Sequence, residues 1–183
     1  MLIADKDDEL LEVLNKNGES TGRFEKRSIV HANKMYHNEV ALWVIDKANQ
    51  RVLLQRRSLN KKQNPNKLAL CAGHVVGNET LLIALQKEAK EEIGVDINQY
   101  AVKKLATIKR TEPNNYCFSH HYYILQYIPI NELKIQKEEL SEVLYLGYNK
   151  LKEMVQNNSS EVVFNWNDEY RKLFTVLDKV IYQ

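Results

Sequence analysis

Apolar residues recur at every fourth position through one stretch of the chain, at Leu81, Leu85, Ala89 and Ile93. An α-helix advances about 100° per residue, so these four share a face and predict a helix packed on a core. Residues three and four apart also share a face, so Glu88, Glu91 and Glu92 are expected to project together from one narrow arc of that helix. Gly94 is its stop, because glycine enters a left-handed cap without steric cost. Glu79 lies where the helix begins, a favourable place for a negative charge.

Elsewhere the pattern is shorter. Residues 9–14 predict a strand, and Asn15-Lys16-Asn17-Gly18 a turn, giving an N-terminal hairpin over 9–25. Apolar clusters at 40–45 and 52–55 predict a second hairpin around residues 46–50. Residues 68–72, 102–108 and 122–127 read as further strands. Residues 27–33, 148–155 and 169–180 read as helices. The last belongs to a C-terminal helix of about 167–181, with an apolar stripe of Tyr170, Leu173, Val176, Leu177 and Val180. A mid-strand Trp43 reads as core, and Trp166 as packing for the last helix. Strands mixed with helices predict a layered α/β domain.

The length, 183 residues, fits one domain with a sizeable core. A net charge of +2 is too small to argue for bulk nucleic-acid or anionic-membrane binding, so neither partner is expected. The two cysteines, Cys71 and Cys117, form no spaced metal pair, and their scarcity suits a reducing compartment. The chain opens MLIADKDDELLEV, with no basic-then-apolar leader, and no apolar run approaches membrane-spanning length. A cytoplasmic location is the expectation. The hairpin's strand edge is a candidate surface for a homodimer.

The glutamates carry the chemistry. Like charges on one helix face repel by a few tenths of a kcal/mol per pair, roughly, and a hard divalent cation turns that penalty into affinity. Mg²⁺ prefers oxygen ligands and commonly bridges carboxylates to phosphates. Gly73 and Gly77 flank a loop able to bring backbone close to a ligand. Arg56, Arg57, Lys61, Lys62 and Lys67 form a basic strand end and loop, suited to phosphate oxygens.

The spacing is more specific still. Gly73, Glu79, Lys87, Glu88, Ala89, Glu91, Glu92, Gly94 and Val95 fall at the positions of the Nudix box. The chain resembles the Nudix hydrolase family, MutT-like, on those residues. Two positions depart from the usual pattern: Lys87 stands where an Arg is normal, and Ala89 where a larger aliphatic is. Lys offers one mobile charge where Arg offers a planar fork, so a looser catalytic loop is expected.

The resemblance implies a Nudix α/β/α sandwich with a mixed sheet, a single domain over residues 1–183, and divalent-metal-dependent hydrolysis of a diphosphate linkage. The partner it implies is a small-molecule diphosphate substrate. The implied metal ligands are Glu88, Glu92, Glu91 and the Gly73 carbonyl, for Mg²⁺ or Mn²⁺. Glu91 is the alternative base that activates water, with Glu112, in a loop over 110–115, as a base outside the box. Arg56, Arg57, Lys61, Lys67 and His74 are the candidates for substrate binding.

Segments such as ELLEVLNKNGESTG, RSIVHANKMYHNEVALWVI, RVLLQRRS and CAGHV resemble the Nudix branch related to isopentenyl-diphosphate isomerase, over roughly residues 9–165. That branch offers isomerisation as the rival activity. The isomerase needs a Cys directly before its Gly-His pair; here Ala72 holds that place and Cys71 lies one step earlier, turned to the opposite face of a strand. Phe118, Ser119, His120 and His121 stand where the isomerase carries glutamates. Its histidine cluster is echoed by His31, His37 and His74. His120 and His121 alternate on a strand, so at most one faces a cleft. A non-catalytic nucleotide-binding Nudix domain is the other alternative.

Overall fold

The computed structural model describes residues 6–61, 63–112 and 115–183. Lys62 lies outside the described residues, as do Pro113 and Asn114 of the expected 110–115 loop. The architecture is a mixed sheet between helices, the α/β/α sandwich expected from the sequence. Strands β1 (Leu10–Leu14) and β2 (Ser20–Lys26) form the N-terminal hairpin as a separate two-stranded sheet, and α1 (Arg27–Ala32) follows it.

The main sheet is built on β3 (His37–Asp46) and β4 (Arg51–Arg57), which meet only beside their turn, at Ile45–Val52 and Asp46–Arg51. Beyond that they part, and the next segment fills the gap. The run expected as one strand over 68–72 is two: β5 (Leu68–Ala69) pairs with β4, and β6 (Cys71–His74) pairs with β3. On its other side β3 runs parallel to β8 (Asn115–Leu125), which pairs in turn with β7 (Lys103–Glu112). A ninth strand, β9 (Leu140–Gly147), lies along the outer side of β4.

Each face of this sheet carries its own core. Val40, Leu42 and Val44 pack under α2 (Leu81–Ile93) through Leu85, Ala89 and Ile93. Thr80 caps α2, its side chain accepting the Ile83 N–H, and Gly94 ends it at φ +73°, in the left-handed region. On the opposite face Ala41, Trp43 and Ile45 pack against α3 (Tyr148–Gln156) and α4 (Asp168–Tyr182). Trp43 stacks on Phe164 and meets the edge of Phe174, and Trp166 also rests on Phe174.

The stripe on α4 needs one correction. Val176 is exposed; Tyr170, Leu173, Phe174, Leu177 and Ile181 are the buried positions. Steps of three and four track a helix face, and Val176, about 100° from Leu177, falls off it. Strands β7 and β8 are also longer than their apolar cores. Arg110 and Glu112 lie in β7 and Asn115 opens β8, so the expected loop residues are strand residues at the hairpin's end. Their polar side chains hide the strand from a hydropathy reading.

Candidate functional site

On the face of the sheet that carries Ala41 and Trp43, at the ends of β3, β6 and β8, lies a cavity of about 510 Å³. The box glutamates enter it from the α2 side. Glu88 and Glu92 are buried, at 7% and 5% exposure, and both line the cavity, whereas Glu91 is exposed and does not. This corrects the single narrow arc. Glu88 and Glu92 lie about 40° apart around the helix, but Glu91 and Glu92 are about 100° apart.

Gly73 explains how Glu88 gets in. A Cβ on Gly73 would lie 2.1 Å from the Glu88 Cδ, so the carboxyl group occupies the space of the absent side chain. Glu92 is fixed from two sides. Its Oε2 accepts from the buried Gln55 Nε2 at 2.8 Å and from the Ala72 backbone N–H at 3.2 Å. The Lys87 Nζ donates to both oxygens of Glu79 at 3.0 Å, and Glu79 also accepts the Val76 N–H. Lys87 thus joins the loop to the helix as a point charge shared by two oxygens.

The basic rim divides. Arg57, Lys61, Lys67 and His74 line the cavity. Arg57 donates to the Gln63 carbonyl, and Lys61 is ion-paired with Glu139. Arg56 is turned away, to Glu142 at 2.7 Å and the Asn66 carbonyl, because successive strand residues face opposite sides. Of the histidine pair on β8, His121 lines the cavity; His120 faces the other way, to Thr107 and Asn38.

Beneath the rim is a floor that the sequence did not announce. Glu39, from the start of β3, is buried and accepts from Arg110 Nη1 at 2.9 Å, Asn115 Nδ2 at 3.0 Å and Ser119 Oγ at 3.1 Å. Burial alone would raise its pKa; the Arg110 charge and the Asn115 and Ser119 donors outweigh that and hold it ionised. The Arg110 Nε donates to Glu112 at 2.8 Å, which puts Glu112 on the floor. The N-terminal segment adds Glu9, Arg27 and His31 to the cavity wall, Arg27 paired with Glu9 at 3.2 Å. The one sequence signal for Arg27 and His31 is their four-residue spacing on a helix.

A third group lies beside the box loop. The ligating nitrogens of His31, His37 and His74 all fall within 4.8 Å of one another. The His37 Nδ1 is bonded to the Met35 carbonyl, an acceptor, so its proton sits there and Nε2 presents a lone pair. That Nε2 is buried without a partner among the described residues. Burial depresses the pKa of all three imidazoles, that of His37 to about 4, so they stand neutral and fit to ligate. Cys71, the other isomerase-like feature, is buried under α2, on the far face from the cavity.

Comparison with known proteins agrees with this geometry. The NUDIX domain family model matches residues 35–166. Nudix hydrolase 3 of Arabidopsis thaliana is 32% identical over 180 residues, covering 93% of this chain but 23% of that protein. An isopentenyl-diphosphate Delta-isomerase of Mycolicibacterium vanbaalenii is 33% identical over 90 residues, 49% of each chain. The crystal structure of DR0079 from Deinococcus radiodurans superposes with a TM-score of 0.71 at 19% identity, over 96% of this chain and all of that one. The chain belongs to the Nudix hydrolase family. It spans about a quarter of the length of the Arabidopsis relative. Among the described residues, no helix is long and apolar enough to cross a membrane.

Proposed function

We propose that this protein hydrolyses a diphosphate linkage in an organic pyrophosphate, such as a nucleoside diphosphate derivative, with a bound Mg²⁺ or Mn²⁺. The observation that carries this reading is the Glu88 carboxyl group seated in the space that Gly73 leaves, beside an anchored Glu92 and across the cavity from a cationic rim.

The donor set fits a hard cation: two carboxylates and the Gly73 carbonyl would hold it, with waters completing the shell. Such an ion, when bound, neutralises phosphate oxygens and lowers the pKa of a bound water. The chain's own residues do the rest. Gln55 and the Ala72 N–H keep Glu92 aimed, as outer partners of a ligand do. Arg57, Lys61 and Lys67 hold the phosphates, and a preorganised cationic rim is what phosphoryl displacement needs. His74 orients the substrate beside Gly73. Of the candidate bases, Glu112 is favoured by its place in the cavity, which the exposed Glu91 does not line. The whole chain works as one Nudix unit, because α1 lends Arg27 and His31 to the cavity and α4 lends Tyr170. Its free, buried thiols suit the cytoplasm, and the exposed edge of β2 suits a homodimer contact.

Isomerase-like chemistry is the second reading, favoured by the imidazole trio, which would suit a borderline ion such as Zn²⁺ or Mn²⁺. The position of Cys71 beneath α2 and the absence of a glutamate at Ser119 or His121 weigh against it. A panel of diphosphates incubated with Mg²⁺ or Mn²⁺, with products weighed by mass spectrometry, separates the readings. Hydrolysis yields products heavier in sum by one water. Isomerisation conserves the substrate's mass, and turnover that survives excess chelator refutes the metal.

A further inference from the structure

One phenol in the cavity wall has no partner. Tyr170, in the first turn of α4, is 2% exposed and lines the cavity. A buried tyrosine hydroxyl ordinarily finds a hydrogen-bond partner. Tyr148, in the same core, does: its hydroxyl donates to Asp178 Oδ1 at 2.7 Å and lies 3.3 Å from the Phe174 carbonyl. Tyr170 is bonded through its backbone N–H, to Asn167 Oδ1 at 3.0 Å, and its hydroxyl makes no hydrogen bond among the described residues. Nor is that hydroxyl sealed in. Among the described residues, the side-chain polar atoms buried without a partner are His37 Nε2, Gln55 Oε1 and Asn115 Oδ1. An unpartnered hydroxyl outside that group keeps some surface open, and for Tyr170 the open space is the cavity.

The phenol is held firmly. Asn167 caps α4 through the Tyr170 N–H, and the Lys109 N–H of β7 donates to Glu169 at 3.2 Å, tying the start of the helix to the strand that carries Arg110. The Tyr170 ring packs edge-on to Phe164 at 5.8 Å. Arg110, Glu112 and Glu39 are charged groups that act on it, so it stands at the floor end of the cavity. The floor's own bonds leave its proton free. Trp43 Nε1 donates to His121 Nδ1 at 3.0 Å, His121 Nε2 meets Ser119 Oγ at 3.2 Å, and Ser119 donates to Glu39 at 3.1 Å. With Arg110 and Asn115 also bonded to Glu39, both oxygens of that carboxylate are taken. Burial raises the Tyr170 phenol above its ordinary pKa, so it stays protonated and serves as a neutral donor.

An ionised diphosphate offers oxygens that accept hydrogen bonds. Resting on the diphosphate reading above, we propose that the Tyr170 hydroxyl donates a hydrogen bond to a non-bridging phosphate oxygen of the substrate, which makes the C-terminal helix part of the binding wall. The contact lies near Glu112, the base favoured above, so the phosphate it holds is the one under attack. There a water oxygen bonds to phosphorus, the water's proton passes to Glu112, and the bridging P–O bond breaks with its electron pair on the leaving group. The phenol keeps its proton throughout; it fixes the phosphate and stabilises the charge on its oxygen. Helical periodicity assigns Tyr170 to core packing, and it conceals the hydroxyl at the end of the ring.

The test compares Tyr170→Phe and Tyr148→Phe in the intact protein. Binding of methylenediphosphonate, a diphosphate analogue that resists hydrolysis, is measured by calorimetry with Mg²⁺, beside kcat/KM on a cleaved diphosphate and a thermal melt. In Tyr170→Phe the affinity and kcat/KM should each fall by at least about tenfold, as expected for a lost hydrogen bond to a charged oxygen. Its melting temperature should equal or exceed that of the wild type, because the lost hydroxyl has no partner among the described residues. Its pH–rate profile should keep its shape, because the phenol stays protonated. Tyr148→Phe should do the opposite, melting lower with affinity unchanged, because its hydroxyl is bonded within the protein. Unchanged affinity in Tyr170→Phe overturns the proposal. So does a loss accompanied by a melting temperature as depressed as that of Tyr148→Phe, or a wild type that fails to bind the diphosphonate. Weaker diphosphonate binding in Tyr170→Phe, with no diphosphate cleaved by the wild type, would sink the hydrolase reading and leave the phosphate contact standing.

Discussion

The two ends of the cavity are built by opposite means. At the box end, Gly73, Glu88 and Glu92 come from 20 consecutive residues, one short strand and the helix after it. At the floor, Glu39, Arg110, Ser119 and His121 come from three strands and meet only through register: Glu39 stands beside His74 on one side and Ser119 on the other. The box end is held by local geometry, a helix turn and a missing Cβ. The floor is held by sheet pairing and a continuous hydrogen-bond chain. The box end is therefore legible in a short motif, while the floor is assembled from contacts that no single segment specifies.

Changes at the box end should abolish turnover, and the largest effect is expected there. Glu92→Gln should lower the rate by at least about two orders of magnitude, read from initial rates at saturating Mg²⁺. Gly73→Ala should follow at roughly a hundredfold. Its Cβ meets the far end of a flexible side chain, so Glu88 swings out while the fold persists; a circular-dichroism melt within a few degrees of the wild type, with activity lost, is the expected pair of results.

The rim sharpens the comparison by splitting two neighbours. Arg57→Ala should raise KM by about tenfold through a lost charged hydrogen bond, and Arg56→Ala, on the outer face, should leave KM within about twofold. Equal effects would mean that the alternation along β4 does not sort the two side chains.

The two histidines of β8 should show themselves in stability against pH. His121 is held at about 3 and His120 at about 4 in the folded chain, against an ordinary 6.5. The unfolded chain then binds more protons, so stability rises with pH across that window. The contribution is complete above 6.5 and is lost as pH falls toward 4 and then 3. For the buried His121 the slope is about 1.4 kcal/mol per pH unit. Urea melts from pH 7 to pH 4 should show it, and His121→Asn should make the slope shallower by the His121 share, the other buried imidazoles keeping theirs. The smallest change is expected at the brace: Lys87→Ala removes a partly exposed pair with Glu79 and should cost about 0.5 kcal/mol.

The legibility of the sequence follows the same division. The long helix α2, its glycine stop and the Glu88/Glu92 pair were readable because helical spacing is local and periodic. The central hairpin and α4 were readable from apolar runs. Strand β9 was missed because Leu140–Gly147 pairs with an outer strand and alternates only weakly in hydropathy, and the ends of β7 and β8 because they carry polar side chains into a cavity. Spacing alone does not separate Glu91 from Glu88 and Glu92, because steps of three and of four diverge in opposite directions around the helix. Glu39 could not be found without knowing which strands flank β3. The cationic rim was half readable: the basic run was visible, but the alternation that excludes Arg56 required the strand to be located.

The central claim is that Glu88 and Glu92, and not Glu91 or the imidazole trio, seat the working ion. Its most direct test is Mn²⁺ binding followed by electron paramagnetic resonance in the wild type and in Glu88→Gln, Glu92→Gln, Glu91→Gln and His37→Ala. The account predicts that affinity falls at least about tenfold in the first two variants and stays within about threefold in the last two. Binding that survives Glu88→Gln and Glu92→Gln but vanishes in His37→Ala would contradict it.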